Sequence, residues 1–156
     1  MRPELNPVKL ALARLKESDF KKRSSTWELR NAETLFVINL QKSQYGLLYF
    51  INVGVWLRAL GEAAFPRTEL CHLHARANGL IPQKWHRIDD LLNLEVAMPN
   101  DQRISELHDI LVTDLLPVMR ACETVQGARA VVHSDYGSRW LVNAEAAQIL
   151  GFPSTD

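Results

Sequence analysis

The chain has 156 residues, of which 47% are apolar and 23% are charged. This is the composition of a soluble globular domain, and it excludes disordered, collagen-like and low-complexity chains. Neither an internal repeat nor a linker is visible, so we expect residues 1–156 to form a single domain. Basic and acidic residues number 18 each, so the zero net charge gives no global argument for nucleic acid or an anionic membrane as partner.

The charges are unevenly distributed along the chain. Residues 1–30 carry a net charge of +4 and residues 31–88 a net charge of +3, whereas residues 89–127 carry −6. We expect these segments to face each other across the fold. The alternative is a dipolar surface that attracts a charged partner.

The cysteine content and the amino terminus predict a cytoplasmic protein. Cys71 and Cys122 are too few for a disulfide scaffold, and there is no CxxC pair. The first residues lack the apolar core of a signal peptide, and polar residues interrupt the longest apolar stretch, 47–60. We therefore expect free thiols and no membrane association.

The amino-terminal part of the chain predicts a helix, a turn and a strand. A helix is expected over residues 6–18, capped by Asn6 and with Pro7 at its first position. Residues 21–25 read as a basic turn. A short strand follows over Thr26–Arg30, with Trp27 on its apolar face.

The strongest local pattern is a hairpin. Thr34–Lys42 and Leu48–Leu57 are rich in β-branched and aromatic residues, and Ser43–Gly46 has the composition of a turn. Alternation places even-numbered residues of the first strand on the same face as odd-numbered residues of the second. One face is apolar, formed by Phe36, Ile38, Leu40, Tyr49, Ile51, Val53, Val55 and Leu57. The other is mixed, formed by Leu35, Val37, Asn39, Gln41, Phe50, Asn52, Gly54 and Trp56.

The carboxy-terminal half predicts one further long strand and two helices. The strand is expected over Cys71–Ala77, whereas residues 83–98 are ambiguous and could add an edge strand within Leu91–Val96. A long helix capped by Asn100 follows, which Pro117 should kink or divide, and a last short helix over 143–150 stops at Gly151. These elements predict an α+β domain, in which the first helix and the long helix cover the apolar face of an antiparallel sheet of about four strands.

Four segments together resemble a known family. They are Phe20-Lys21-Lys22, Asn39–Ser43, Phe50–Val55 and Cys71–Arg76, and in this order they are similar to the bacterial domain-of-unknown-function family 4304. The resemblance covers most of the chain, from the first helix to the last. It implies an α+β domain of about this length, and it brings no activity, cofactor or catalytic residue. Some small bacterial domains of this type resemble immunity proteins, which bind and neutralise a toxin.

The mixed sheet face is the best candidate site. Its amides offer donors and acceptors on a rigid surface, and an aromatic side chain could form a wall beside them. The alternative is that the amides hold a covering loop. We expect a non-catalytic protein without a cofactor, which binds another protein, a toxin for example, through Asn39, Gln41, Lys42, Ser43, Asn52 and Trp56.

Two other functions stay open. His72 and His74 would point the same way on a strand, which suits a metal pair in a small enzyme or, alternatively, a solvated strand face. The basic run Lys21-Lys22-Arg23 could contact phosphates while Trp27 stacks on a base, as in single-strand-binding proteins. No Walker loop, GxGxxG or GxSxG motif is present, and the adjacent residues of His133-Ser134-Asp135 cannot converge as a triad.

Overall fold

The computed structural model describes residues 6–151. Within this range the strands are β1 (Lys21–Arg23), β2 (Thr26–Arg30), β3 (Thr34–Lys42), β4 (Tyr49–Leu57), β5 (Leu73–Arg76) and β6 (Leu141–Val142). Each pairs antiparallel with the next, so these six described strands form one meander in chain order. The predicted α+β class is confirmed, and the sheet gains an edge strand on each side relative to the four strands expected.

The helices are α1 (Pro7–Ala13), α2 (Ala77–Leu80), α3 (Trp85–Leu92), α4 (Asn100–Asp109), α5 (Leu116–Arg120), α6 (Val125–Val132) and α7 (Ala144–Leu150). The predicted cap of α1 is confirmed, because Asn6 Oδ1 accepts from the Val8 and Lys9 amides at 3.0 and 3.2 Å. The predicted last helix is also confirmed. It begins after Asn143, whose side chain accepts from the Ala146 amide, and it ends at Gly151 with φ of 63°.

The hairpin of β3 and β4 brings together the faces that the alternation predicts. Phe36 lies opposite Val55 and Ile38 opposite Val53, so the two apolar rows share one face. The helices pack against this face, and the helices and the sheet together form one continuous core. The helices, the 3-10 turn at 14–18 and the π-helical segment at 110–115 contribute Val8, Ala11, Leu12, Leu15, Ile88, Leu91, Leu107, Leu111, Leu115, Met119, Ala128, Val132, Ala146 and Leu150. Burial of this apolar surface is the main stabilising contribution to the fold.

A segment of irregular chain, residues 58–72, crosses the opposite face of the sheet. It covers Leu35 and Val37, which are fully buried although they lie outside the main core cluster. At Gly54 the approach is close: an added Cβ would lie 2.5 Å from Cys71 Sγ and 2.8 Å from Cys71 Cβ. Only a residue without a side chain allows this contact.

Three side chains on the sheet hold the 58–72 segment in place. Trp56 Nε1 donates to the Gly61 carbonyl at 2.8 Å. The buried Glu28 carboxylate accepts from the Phe65 amide at 2.8 Å, and an Arg30 Nη atom donates to the Ala63 carbonyl at 2.8 Å. Because the segment leaves part of the face uncovered, a cleft is formed beside it.

Two expectations for the sheet are wrong in detail. Lys21–Arg23 is strand β1 rather than part of a turn, and the turn consists of Ser24 and Ser25 alone. Pairing with β2 imposes an extended backbone on this basic run, which has little strand propensity of its own. The strand expected over Cys71–Ala77 is shorter, since Cys71 leaves the alternation and packs over Gly54.

The edge strand considered for the ambiguous residues Leu91–Val96 does not form. The first of these residues end helix α3, and only an isolated bridge joins Leu48 to Asn93. The reason lies in Arg103, which is 2% exposed and donates to the carbonyls of Asp90, Leu91, Asn93 and Val96. These carbonyls stabilise the buried guanidinium and are not free to extend the sheet.

The predicted long helix is divided into three parts. Between α4 and α5 lies a π-helical segment, Ile110–Leu115, which ends just before Pro117. Proline cannot donate to the carbonyl four residues earlier, and wider hydrogen bonding accommodates this defect. The cap at Asn100 is wrong: Asn100 is the first helical residue, and Pro99 precedes it without a side-chain cap.

The basic and acidic segments do meet across the fold. Lys84 Nζ lies 2.6 Å from an Asp114 carboxylate oxygen, and Arg87 forms a two-point contact with Glu106 at 2.5 Å. Each pair joins a residue of the basic 31–88 segment to one of the acidic 89–127 segment. Hydrogen bonding to Arg87 lowers the pKa of Glu106.

Candidate functional site

The uncovered part of the second sheet face is a cleft of about 600 Å³, within the size range of ligand sites. Its floor consists of amide and hydroxyl side chains on β2, β3 and β4. Asn39, Gln41 and Asn52 line it on the face that the alternation predicts, together with Thr26 of β2, which the prediction did not include. We call this space the amide cleft.

The floor of the amide cleft is fixed by cross-strand hydrogen bonds. Asn52 Nδ2 donates to Asn39 Oδ1 at 3.1 Å and to Gln41 Oε1 at 2.9 Å. Asn39 Nδ2 in turn donates to Thr26 Oγ1 at 3.1 Å and to the Ser25 carbonyl at 3.3 Å. None of the hydrogen bonds between described residues uses Gln41 Nε2 or Asn52 Oδ1. The floor therefore retains an amide donor and a carbonyl acceptor on neighbouring strands.

The walls of the amide cleft carry charged and aromatic groups. On one side lie Phe65, Arg67, Thr68 and Glu69 from the 58–72 segment, and on the other lie His74, Arg76 and Leu141. The Arg76 guanidinium stacks on the Phe50 ring at 3.9 Å, and Arg23 stacks on Phe65 at 4.4 Å. Arg67 is paired with Glu69 at 2.5 Å, whereas Arg76 has no carboxylate partner among residues 6–151. The mouth of the cleft is therefore positively charged.

The structure brings together three of the six expected site residues. Lys42 is on the core face of β3, opposite Tyr49, so it points away from the cleft. Ser43 is buried in the hairpin turn, where its Oγ accepts from the Tyr45 amide at 3.0 Å. Trp56 was expected as an aromatic wall of the site, but its Nε1 donates to the Gly61 carbonyl and holds the 58–72 segment. These three side chains do not line the amide cleft.

The two histidines occupy different environments. His74 lines the amide cleft, but His72 is 2% exposed and its ring lies 4.4 Å from that of Trp56. His72 Nδ1 accepts from the Leu57 amide at 2.8 Å, which places the proton of the neutral ring on Nε2. Burial lowers the pKa of His72 and outweighs the negative charge of Glu145, which acts to raise it. This tautomer offers no free lone pair to a metal, and among the residues described no cluster of three metal-ligating side chains occurs.

The basic run is divided between the two faces of the sheet. Lys21 and Arg23 lie on the face of the amide cleft, whereas Lys22 lies on the core face with its Nζ 5.5 Å from the Trp27 ring. Trp27 is 3% exposed. The alternative in which Trp27 stacks on a base does not fit this position, because its ring is packed into the core.

The segment His133-Ser134-Asp135 is a structural turn. Ser134 Oγ donates to the Val131 carbonyl at 2.6 Å and accepts from the Tyr136 amide at 3.1 Å. His133 Nε2 lies 2.9 Å from the Leu150 carbonyl. These groups satisfy local backbone atoms at a helix end and do not converge for catalysis.

Sequence reasoning missed several residues that shape the amide cleft. Thr26 could have been placed opposite Asn39 by counting back from the tight connection at residues 31–33. Glu28 is on the same face by alternation, but its role depends on the Phe65 amide, 37 residues away. Nothing in the local pattern places Phe65 or Arg67 over the sheet.

The comparison with known families gives a definite result. A family model described as "Domain of unknown function (DUF4304)" matches residues 12–121. The chain belongs to this family. The DUF4304 match includes β1 to β5 and ends at α5, which is less than the span from first to last helix that the resemblance implied. Of the residues that line the amide cleft, Leu141 alone falls outside it.

No curated protein and no solved structure matched this DUF4304 chain. In the part of the chain that the structure describes, no helix is long and apolar enough to cross a bilayer.

Proposed function

We propose that this DUF4304 protein is a non-catalytic binding protein that takes an extended segment of a protein partner into the amide cleft. The observation that carries the proposal is the pair of unused groups on the fixed amide floor, Gln41 Nε2 and Asn52 Oδ1. A peptide group presents one N–H donor and one carbonyl acceptor, so it complements this pair. The floor is pre-organised, which reduces the entropy lost on binding.

The walls of the cleft indicate an acidic partner segment. Arg76 is exposed, is held flat against Phe50, and has no carboxylate partner among the described residues. A guanidinium held in this way presents its donors to a carboxylate in a two-point contact. An Asp or Glu side chain of the partner, next to the recognised peptide group, would fit this arrangement.

The finer part of the proposal is that the partner is a toxin and that the chain acts as an immunity protein in the cytoplasm. The reducing cytoplasm suits Cys71 and Cys122, which are both buried as free thiols. Burial raises the pKa of each thiol to about 12, so neither is a nucleophile at neutral pH. The enzyme alternative is weakened further by His72, whose Nδ1 is engaged by the backbone.

The test is affinity capture of the tagged full chain from a lysate of its own cells, followed by mass spectrometry. We expect one stoichiometric protein partner that is lost with Gln41→Ala and with Arg76→Gln. The matched controls are Gln148→Ala and Arg120→Gln, which change exposed residues outside the cleft. All four variants should keep the wild-type Tm.

Three results would overturn the proposal. They are the absence of a partner, its retention by both cleft variants, and its equal loss in the controls. The immunity part has its own readout, because expression of the captured partner alone should stop growth and co-expression of the chain should restore it. If expression of the partner alone does not affect growth, the toxin assignment is refuted, but the proposed binding site is not.

A further inference from the structure

A second cleft lies at the edge of the core face, away from the amide cleft. It has a volume of about 230 Å³ and a floor of three buried apolar or aromatic side chains, Trp27, Leu40 and Tyr49. Its rim is formed by Lys9 from α1, Lys22 from β1, Lys42 from β3 and the turn residues Ser24 and Ser25. We call it the lysine cleft.

The charge of the lysine cleft has one sign. Three ammonium groups from three separate elements border it, and no Asp or Glu is among its lining residues. Within residues 6–151 none of these three lysines forms an ion pair. Three like charges around one small space repel each other unless an anion joins them, so this arrangement favours an anionic ligand.

The donors of the lysine cleft favour phosphate over carboxylate. A planar carboxylate is best matched by the two-pronged guanidinium of arginine, whereas lysine acts as a compact point charge with rotatable donors. A phosphate monoester carries a charge of roughly −1.5 to −2 and three acceptor oxygens. The three lysines and two serines that line the cleft offer enough donors for all three oxygens.

The size and floor of the lysine cleft limit the rest of the ligand. Its volume is below the range of roughly 300–1,000 Å³ that is typical of sites for drug-sized molecules. Tyr49 brings a hydroxyl that already accepts from Asn6 Nδ2 at 3.0 Å and keeps its own proton to donate. The aromatic floor then leaves room for one small apolar group beside the phosphate.

We infer that the lysine cleft binds a small phosphorylated molecule through Lys9, Lys22 and Lys42. This site is independent of the partner site proposed above, because the two clefts share no lining residue and lie on opposite faces of the sheet. A nucleic acid is the competing ligand. The division of the basic run between the two faces disfavours it, because a strand of phosphates needs a continuous basic track.

The test is a titration of ¹⁵N-labelled full chain, followed by NMR, with phenyl phosphate, inorganic phosphate, acetate and a ten-residue oligothymidylate at constant ionic strength. With phenyl phosphate we expect saturable chemical-shift changes at the Ser25 amide and the Trp27 indole. Inorganic phosphate should produce smaller changes at the same signals, and acetate should produce none. Lys22→Gln and Lys42→Gln should each lower the affinity for phenyl phosphate roughly tenfold, which is the effect of losing one charge-assisted hydrogen bond. Lys16→Gln, an exposed lysine outside the cleft, is the matched control.

Several results would overturn the inference. They are non-saturable phosphate shifts, equal shifts with acetate, equal weakening by Lys16→Gln, and binding of the oligothymidylate without binding of phenyl phosphate. Because the lysine variants leave the amide cleft intact, failure here would not affect partner capture. Loss of capture in Gln41→Ala would likewise not affect phosphate binding.

Discussion

At the scale of single residues, burial on the second sheet face decides which polar groups are free to bind. His72 and His74 are two positions apart, yet His72, the last residue of the crossing segment, is buried and accepts a backbone hydrogen bond, whereas His74 lines the amide cleft. The sequence pattern places both on one face by alternation. It cannot show that residues 58–72 cover only part of that face, because that covering depends on distant contacts.

The same alternation that predicts Asn39 and Gln41 correctly also assigns Lys42 to the core face. Lys42 follows Phe36, Ile38 and Leu40 in the even-numbered row of β3. Its grouping with the amides rested on proximity along the chain rather than on the face of the strand. Three of the six expected site residues were accessible to prediction, since the register of one hairpin determines their positions.

His72 makes the stability of the protein depend on pH. Burial lowers its pKa in the folded state. As the pH falls through about 6.5, the imidazole therefore takes up a proton in the unfolded chain before it does so in the folded chain. Stability due to the neutral ring is therefore complete above this pH and is lost as the pH falls below it. We expect the Tm to fall between pH 7.5 and pH 5.5, and to fall less in His72→Asn, measured by circular dichroism.

Asparagine is the matched replacement in this experiment, because its Oδ1 can accept from the Leu57 amide in the place of His72 Nδ1. All other titrating groups are common to the two proteins. An equal pH dependence of Tm in wild type and His72→Asn would show that protonation of His72 does not destabilise the fold.

At the scale of elements, the position of the crossing segment is set by one close contact with β4. Gly54 and Cys71 are in contact where a Cβ on residue 54 would overlap both Cys71 Sγ and Cys71 Cβ. The hairpin itself could be predicted from its residue pattern. The path of the segment above it could not, because residues 58–72 have neither helical nor strand periodicity.

We expect Gly54→Ala to destabilise the protein by about 2 kcal/mol, as overpacking of a close contact does. This corresponds to a decrease in Tm of roughly 5 °C for a domain of this size. Thermal unfolding followed by circular dichroism measures it. Cys71→Ala in the same chain should recover part of the loss, because it removes the nearer of the two overlapping atoms.

Gly79→Ala is the matched control for this substitution. Gly79 lies in helix α2, and an added Cβ there would have its nearest neighbour, Trp85 Cζ3, at an ordinary contact distance of 3.9 Å. Its effect should lie between neutral and a stabilisation of about 1 kcal/mol. Similar losses for both alanine variants would contradict the close-packing explanation.

At the scale of the whole molecule, the sheet separates two layers of unequal stability. One is the main core, which includes Cys122 and the helices. The other is the thin layer between residues 58–72 and the sheet. It is formed by Cys71 of that segment and by Leu35 and Val37 of β3, and it belongs to no large cluster. A layer with few apolar contacts opens at a lower free energy than the core does.

The two buried thiols report on this difference. In native buffer at pH 8 we expect Cys71 to react with a disulfide reagent roughly tenfold or more faster than Cys122, because local opening of the segment exposes Cys71 alone. The rates are measured separately in Cys122→Ala and Cys71→Ala. In denaturing urea the two rates should converge. Equal native rates would mean that the two layers open together.

The meander order of the strands also has a consequence for biosynthesis. β1 to β5 form by successive local pairings, whereas β6 returns from far along the chain to close the β5 edge. During translation the amino-terminal strands therefore leave the ribosome before Trp140, Val142 and Leu150, which complete the core. Until these residues arrive, the β5 edge stays unpaired and the core is incomplete, so the nascent chain passes through a stage that is prone to aggregate.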